Sequence, residues 1–271
     1  MLFIVGALSV IMGLLMGLLG GGGSVMTVPI LVYIADQPPN GAIATSLLVV
    51  GVASGVSVLK HAKMGNVRWR LGLIFGAFAM IGSYGGGLSA VFFTGPTLLI
   101  LFAVLMLIAG LAMIRPRKQA AETDDTEPKT AKTINWPLIA VEGLVVGFVT
   151  GLVGAGGGFI IVPTLVLLAG IEMRAAIGTS LFIISMKSFT GLAGHLSHAE
   201  VNLSLALFVT ALAIVGALTG ASFTAKLKPA SLKRAFGVFV LIMAIFIVVR
   251  ETTQASVPTP EVPADATSAA P

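Results

Sequence analysis

Residues 17–29, GLLGGGGSVMTVP, decide the fold because their pattern occurs twice in the chain. Residues 151–163, GLVGAGGGFIIVP, repeat the glycines and the Val-Pro pair 134 positions later. The same shift, without a gap, places the Thr-Ser-Leu of 45–47 on residues 179–181. Glycine matches alone are weak in a glycine-rich chain, but proline and Thr-Ser-Leu matches in one register indicate two copies of one unit.

The composition predicts an integral membrane protein. Of 271 residues, 56% are hydrophobic and 10% are charged, and the mean hydropathy is +1.04. Soluble domains average about 45–50% apolar and about 25% charged residues. This excludes a cytosolic enzyme, a nucleic-acid binder and a disulfide-stapled secreted domain, and the absence of cysteine excludes thiolate chemistry. An acidic partner is one explanation of the net charge of +5, and the favoured one is that lysines and arginines orient the chain in the bilayer.

Ten apolar segments divide into two sets of five. The short segments 24–35 and 158–170 each follow a glycine run, and at ~1.5 Å per residue they cover little more than half of a ~30 Å hydrocarbon core. We predict an all-α polytopic membrane protein with 8–10 membrane segments, in which each five-segment repeat begins with a glycine-broken helical hairpin. The segments are 2–19, 24–35, 42–59, 71–93, 97–114, 136–153, 158–170, 175–193, 203–225 and 231–249. The predicted domains are a first repeat at 1–114, a cytoplasmic linker at 115–135, a second repeat at 136–250 and a disordered tail at 251–271.

The lysines and arginines predict that the two repeats are inverted. The connection 60–70 carries four basic residues, whereas its counterpart 194–203 carries none. The connection 94–96 carries none, whereas its counterpart 226–234 carries four. Because basic loops stay in the cytoplasm, the change of bias requires the second repeat to enter from the opposite face, with both termini outside. One broken span in place of each hairpin would give parallel repeats and leave four basic residues outside.

The glycine turns are candidate anion-binding elements. Irregular backbone at membrane depth must be buried in protein or line a water-filled cavity. We therefore interpret 1–35 and 136–170 as hairpins entering from opposite faces, with tips meeting near the midplane and short helices starting at Ser24 and Gly158. Helix starts expose unpaired N–H groups with a partial positive charge, so two facing starts suit an anion. The alternative is that the glycines only allow close helix packing.

Two Thr-Ser pairs are candidate hydroxyl donors to the same anion. They lie at equivalent positions in the two repeats, and their alternative role is hydrogen bonding to carbonyls of their own helix. The predicted anion-binding residues are Gly21, Gly22, Gly23, Ser24, Thr45, Ser46, Gly156, Gly157, Gly158, Thr179, Ser180 and Lys187.

Lys187 lies in the middle of the apolar stretch SLFIISMKSFTGLAG, residues 180–194. A charge at the bilayer centre costs about 2.5–3.5 kcal/mol on insertion scales and is a functional-site hypothesis by default. The equivalent residue in the first repeat is Ala53, so this charge breaks the repeat symmetry. We expect Lys187 to contact the anion or to balance charge during transport. The alternatives are that it snorkels or pairs with Glu142.

Three residues are candidates for proton coupling. Glu142 lies about two turns into an apolar segment, where a buried carboxyl group can carry a proton, although a structural or interfacial role is equally open. His61 and His195 are equivalent in the two repeats, and histidine titrates near physiological pH. Their alternative is a solvated or capping role at helix ends. His198 and Glu200 resemble a metal cluster too loosely for a metal to be assigned.

The duplicated motifs resemble the TauE/SafE sulfite-exporter family of membrane permeases. The resemblance covers residues 1–250 and is carried by the glycine run with Pro29, by the Thr-Ser-Leu element, and by their copies. It implies an inner-membrane carrier of prokaryotic type for small sulfur-containing anions such as sulfite or sulfoacetate, working by proton-coupled export. Some similar thiosulfate carriers use cysteines, so a thiol relay is excluded here. A sulfonate offers three acceptor oxygens, which suit converging N–H and O–H donors, but the spacing does not distinguish it from a carboxylate.

Three functions follow from these features. The first is a secondary transporter of small sulfur oxyanions, and the second is an anion channel or a carrier for another oxyanion. An intramembrane enzyme would need a nucleophile–base pair or a metal constellation, and it is disfavoured because the sequence shows no cysteine, no HExxH motif and no buried acid pair. The expected partners are a small anion and the lipid bilayer, without nucleic acid and without a cofactor, and a homodimer remains open.

Overall fold

The computed structural model describes residues 1–114, 136–153, 157–224 and 226–255. Within these ranges all regular structure is helical. The elements are α1 (Leu2–Leu19), α2 (Ser24–Pro29), a π-helical turn (Ile30–Ile34), α3 (Pro39–Lys63), α4 (Trp69–Ser89), a 3-10 turn (Ala90–Phe92), α5 (Gly95–Ile114), α6 (Trp136–Val153), α7 (Gly158–Leu167), α8 (Met173–His195), α9 (Leu203–Thr224) and α10 (Pro229–Ala255).

Eight of the described helices are long and apolar enough to cross a membrane. The two shorter ones, α2 and α7, follow the glycine turns, as the sequence predicts. The prediction of an all-α polytopic membrane protein is therefore confirmed. Helix α10 continues to Ala255, past the boundary expected at 250. The predicted linker at 115–135, the tail beyond 255 and Gly156 lie outside the described residues.

The first hairpin turns at glycine and changes its winding at proline. Gly20 ends α1 with a φ of 74°, a conformation that side chains rarely adopt. After three more glycines, α2 begins at Ser24 and ends at Pro29, and the chain continues as a π-helical turn. Proline lacks the N–H that a continuing helix needs, so a change of winding is expected there. In the second hairpin, Gly157 has a φ of 65° just before α7.

Helix α1 packs closely and in parallel with α9 of the other half. A Cβ on Gly13 would overlap the Ala213 carbonyl, and one on Gly17 would overlap the Ala217 carbonyl four residues further along both helices. Only glycine allows two membrane helices to approach so closely, and van der Waals packing then holds them together.

Helix α6 packs on α4 in the equivalent way. A Cβ on Gly147 would overlap the Ala79 carbonyl, and one on Gly151 would overlap the Ser83 carbonyl. Both pairs run in parallel, and each joins the first helix of one half to the fourth element of the other. The halves therefore exchange partners and do not form separate bundles.

The central helices α3 and α8 run antiparallel where they touch. A Cβ on Gly51 would lie 3.3 Å from the Ser188 Cβ, and one on Gly55 would lie 2.9 Å from the Ser185 hydroxyl oxygen. The residue numbers rise along α3 while they fall along α8. Helices α5 and α10 also cross antiparallel. Equivalent helices of the two halves therefore run in opposite directions at these contacts.

Candidate functional site

The tips of the two hairpins touch through their backbones. A Cβ on Gly21 would overlap the Cα of Gly158, and one on Gly158 would overlap the Cα of Gly21 and lie 2.6 Å from the Ile184 Cδ1. No side chain fits at either position. This close approach is the physical reason for glycine at both places.

The remaining residues of the first tip pack against apolar side chains and against helix backbone, since a Cβ on Gly23 would also overlap the Met12 carbonyl oxygen. A Cβ on Gly22 would lie 3.4 Å from the ring of Phe236, and one on Gly23 would lie 2.6 Å from the Met16 Cβ. Ser24 is buried, and its hydroxyl donates to the Gly21 carbonyl at 2.7 Å. The start of α2 thus bonds its own turn in this conformation.

The serines of the two Thr-Ser pairs also bond their own helices. The Ser46 hydroxyl donates to the Ile43 carbonyl at 2.9 Å, and the Ser180 hydroxyl donates to the Ile177 carbonyl at 2.8 Å. Ser180 lies near the first tip, since a Cβ on Gly20 would be 2.8 Å from its hydroxyl oxygen. Back-bonding, the alternative role for these residues, is present in the structure.

Thr45 and Thr179 each form a hydrogen bond with the backbone of a loop in the other half. The Thr45 hydroxyl oxygen accepts the backbone N–H of Asn202 at 3.3 Å, and that of Thr179 accepts the backbone N–H of Arg68 at 2.9 Å. Arg68 and Asn202 are equivalent in the repeat and directly precede α4 and the start of α9. Each threonine therefore holds the start of a helix that belongs to the other half.

Lys187 is buried beside the second tip without a counterion. Its side chain is 0% exposed, and its ammonium donates to the Thr150 hydroxyl oxygen at 2.7 Å. A Cβ on Gly157 would lie 2.7 Å from that same oxygen. No described carboxylate lies within 4 Å of the ammonium, so the alternative of an ion pair with the half-buried Glu142 is not formed.

The two histidines hold the ends of the hairpin helices. His61 Nε2 lies 2.9 Å from the Gly17 carbonyl oxygen, and His195 Nε2 lies 2.8 Å from the Gly151 carbonyl oxygen. Both side chains are at most 1% exposed, and both Nδ1 atoms are buried with no hydrogen-bond partner. The alternative that these histidines are solvated is therefore wrong. Thr224 adds a second donor to the Gly17 carbonyl at 3.1 Å.

Sequence reasoning missed Thr150. The signal was available in the repeat, because Met16 is its equivalent just as Ala53 is the equivalent of Lys187. Two apolar residues of the first copy are thus replaced by a hydroxyl and an ammonium that contact each other in the second. Within the described ranges, no group of three His, Asp or Glu side chains is placed to hold a metal ion.

The chain is a multi-pass helical membrane protein in which two glycine-broken hairpins meet tip to tip. Residues 5–247 match the sulfite exporter TauE/SafE family, and the chain belongs to this family. The resemblance predicted from the motifs is therefore confirmed.

Similar proteins are known in bacteria and archaea. A protein of Xylella fastidiosa (strain Temecula1) is 31% identical, with 89% of this chain and 92% of the relative covered, and is described as a probable membrane transporter protein. Bacillus subtilis YunE, with the same description, is 32% identical over 81% of this chain and 88% of its own. Methanocaldococcus jannaschii MJ0441, which has the same description, is 29% identical over 89% of this chain and 94% of its own. No solved structure matches the chain.

Proposed function

We propose that this protein is a secondary transporter of the inner membrane. It moves small sulfur-containing anions, such as sulfite or sulfoacetate, out of the cell, coupled to protons, by alternating access around the hairpin tips. The family and the description of its relatives as probable membrane transporters support the general class. The substrate class follows from the family's description as sulfite exporters.

The buried ammonium of Lys187 is the observation that carries the proposal. A charge removed from water is unfavourable unless a partner of opposite charge neutralises it. Here the described protein supplies one hydroxyl and no carboxylate. A small anion at the second tip provides the missing charge.

We infer that the two halves are inverted repeats with both termini outside. The antiparallel contacts of α3 with α8 and of α5 with α10 support this relation, as does the exchange of lysines and arginines between equivalent connections. Because the tips touch in this conformation, an anion passes only when they separate. Inversion lets the two hairpins open towards opposite faces, which is the geometry that alternating access needs.

The coupling proton is assigned to three residues. His61 and His195 contact the helices that lead into the tips through Nε2, and their buried Nδ1 atoms have no hydrogen-bond partner. Glu142 is half-buried in the helix that carries Thr150. A change of protonation at these places alters the charge next to the moving hairpins.

Transport by the purified protein in liposomes tests the proposal. We expect saturable flux of sulfite or sulfoacetate that an imposed proton gradient accelerates. Lys187→Met is expected to abolish the flux, and Glu142→Gln to remove its dependence on the gradient. A conductance that neither saturates nor responds to protons would indicate a channel instead. Flux restricted to carboxylates would contradict the substrate class.

A further inference from the structure

In both halves the tip contacts the helix that leads into it, but the contacting side chain is apolar in the first half and polar in the second. In the first half, Gly23 packs against Met16, since an added Cβ would lie 2.6 Å from the Met16 Cβ. In the second, Gly157 packs against Thr150 at the equivalent place. The two glycines differ in conformation, with a φ of -64° at Gly23 and 65° at Gly157, but each packs on the equivalent residue of its hairpin helix. That residue is a methionine in the first half and a threonine in the second.

The helices next to the two contacts, α3 and α8, show the same difference between apolar and polar residues. Beside Met16 stands the stretch of α3 that contains Ala53, and the polar contact there is a hydrogen bond of 3.5 Å from the Ser54 hydroxyl to the Met16 sulfur. Beside Thr150 stands Lys187, joined to it by a bond of 2.7 Å. A pair of apolar residues has therefore been exchanged as a unit for an ammonium and a hydroxyl.

We propose that only the second hairpin, together with Lys187, forms an anion-binding site, which we call the seat. Thr150 is a positioning residue in this seat. This inference rests on the proposed transport function. The Lys187 ammonium has three N–H donors, of which Thr150 accepts one. The Thr150 hydroxyl in turn donates to the Val146 carbonyl at 2.7 Å, which fixes the oxygen that the ammonium contacts. Two N–H groups are left to bind the oxygens of an oxyanion.

The single ammonium of the seat sets the charge of the bound anion and the number of anions bound per chain. One ammonium at the tip neutralises one negative charge, so the bound group is a single sulfonate, hydrogensulfite or similar oxyanion head. The first tip, with Met16 and Ala53, offers no second cation. We therefore expect one anion per chain. A ligand that carries its own cation near the head group is disfavoured, because it would face Lys187 with like charge.

The central experiment copies the first tip into the second. The double variant Thr150→Met with Lys187→Ala places there the residues that occupy the equivalent positions of the first half. Binding of ethanesulfonate is measured by calorimetric titration of the purified full chain. We expect one site per chain in the wild type and a loss of affinity of about a hundredfold in the double variant, because the buried charge partner is gone.

A matched variant at the first tip is the control. Met16→Leu with Ala53→Ser changes the equivalent positions and is expected to bind ethanesulfonate as the wild type does. Taurine adds an ammonium to the same sulfonate, so we expect it to bind about tenfold more weakly than ethanesulfonate. This preference is expected to disappear in Lys187→Met. Two anions per chain, or equal losses in the two double variants, would overturn the one-sided seat.

Thr150 is tested separately from folding. Thr150→Ser keeps the hydroxyl and is expected to transport normally, whereas Thr150→Val is expected to raise the KM about tenfold with little change in the maximal rate. A purely structural role would lower the maximal rate of both variants together with the amount of folded protein, and would contradict the proposal.

Failure of the seat and failure of the proposed substrate class give different results. If acetate or nitrate binds in a Lys187-dependent way while no sulfur anion does, the seat stands and the substrate class is wrong. If sulfonates bind equally well to the wild type and to the second-tip double variant, the seat is wrong and the substrate class stands.

Discussion

The two hairpin tips carry equivalent glycines and differ in the side chains placed against them. The first tip packs on Met16, while the second packs on Thr150, whose hydroxyl binds Lys187. Each helix that leads into a tip is held by an equivalent histidine. Both halves therefore keep the glycines and the histidine, whereas the hydroxyl and the ammonium are present in the second half only. The difference teaches that two copies of one unit can retain the same helix contacts while their buried side chains diverge.

Filling the contact between the tips is expected to have the largest effect. Gly21→Ala forces a Cβ into the backbone of Gly158, which cannot move aside as a flexible side chain would. Overpacking of this kind costs about 3 kcal/mol, so we expect a large fall in the thermal midpoint and loss of transport. Thermal unfolding in detergent measures the first effect.

Gly85→Ala is the matched control for Gly21→Ala. Its Cβ would meet the Phe148 ring at 3.8 Å, an ordinary contact. Alanine also favours a helix over glycine by about 0.8–1.0 kcal/mol, so this variant is expected to be at least as stable as the wild type. Equal stability of Gly21→Ala and Gly85→Ala would mean that the tips do not touch.

Exchanging charge between the tips is expected to have the next largest effect. Lys187→Met removes a buried ammonium, whereas Ala53→Lys introduces one at the equivalent place, where Met16 offers no hydroxyl. A central charge costs about 2.5–3.5 kcal/mol. We expect Ala53→Lys to lower the thermal midpoint and Lys187→Met to maintain or raise it while transport is lost. Lys63→Met, an exposed site at the end of α3, is the control expected to change neither.

Removal of His61 and removal of His195 are expected to lower the stability of the protein by different amounts. Removing His61 leaves the Gly17 carbonyl with Thr224 as a donor, whereas the described residues give the Gly151 carbonyl no side-chain donor besides His195. Leaving a buried acceptor unpaired costs about 1–3 kcal/mol. His195→Ala is therefore expected to be less stable than His61→Ala. The reverse order of thermal midpoints would contradict the role of Thr224 as a second donor.

The smallest expected difference is between the two threonines that hold loops. Thr179 accepts the Arg68 N–H at 2.9 Å, while Thr45 accepts the Asn202 N–H at 3.3 Å. Replacing either by valine removes a hydrogen bond worth about 1 kcal/mol, and the shorter bond is expected to contribute more. Hydrogen exchange at the Arg68 and Asn202 amides reports each loss separately. Unchanged exchange at Arg68 in Thr179→Val would contradict the assignment.

The sequence predicted the helices well because lipid imposes a simple rule on them. Spanning segments must be long and apolar, so α1 and α6 begin and end where the apolar runs do. The glycine runs likewise predicted the two short helices that follow them. Patterns of this kind lie within a single segment of the chain, and so do the hydrophobicity and backbone preferences that produce them.

The contacts between distant segments could not be predicted in the same way. Pairing of Lys187 with Glu142 is one of the alternatives that the sequence leaves open, but the ammonium contacts Thr150, which lies two turns beyond Glu142 on the same helix. His61 and His195 lie near the ends of their helices, which suggested exposure, yet the glycine-lined packing of neighbouring helices buries both. Distances across the bundle depend on the sum of many small-residue contacts, which no single motif encodes.

The pairing of α1 with α9 has a consequence for how the protein is made. The ribosome delivers α1 first, but the helix that fills its glycine face begins only at Leu203. Throughout most of translation the nascent chain must therefore keep this face against lipid or against the insertion machinery. The first half cannot mature by itself, and assembly closes only when nearly the whole polypeptide has entered the bilayer.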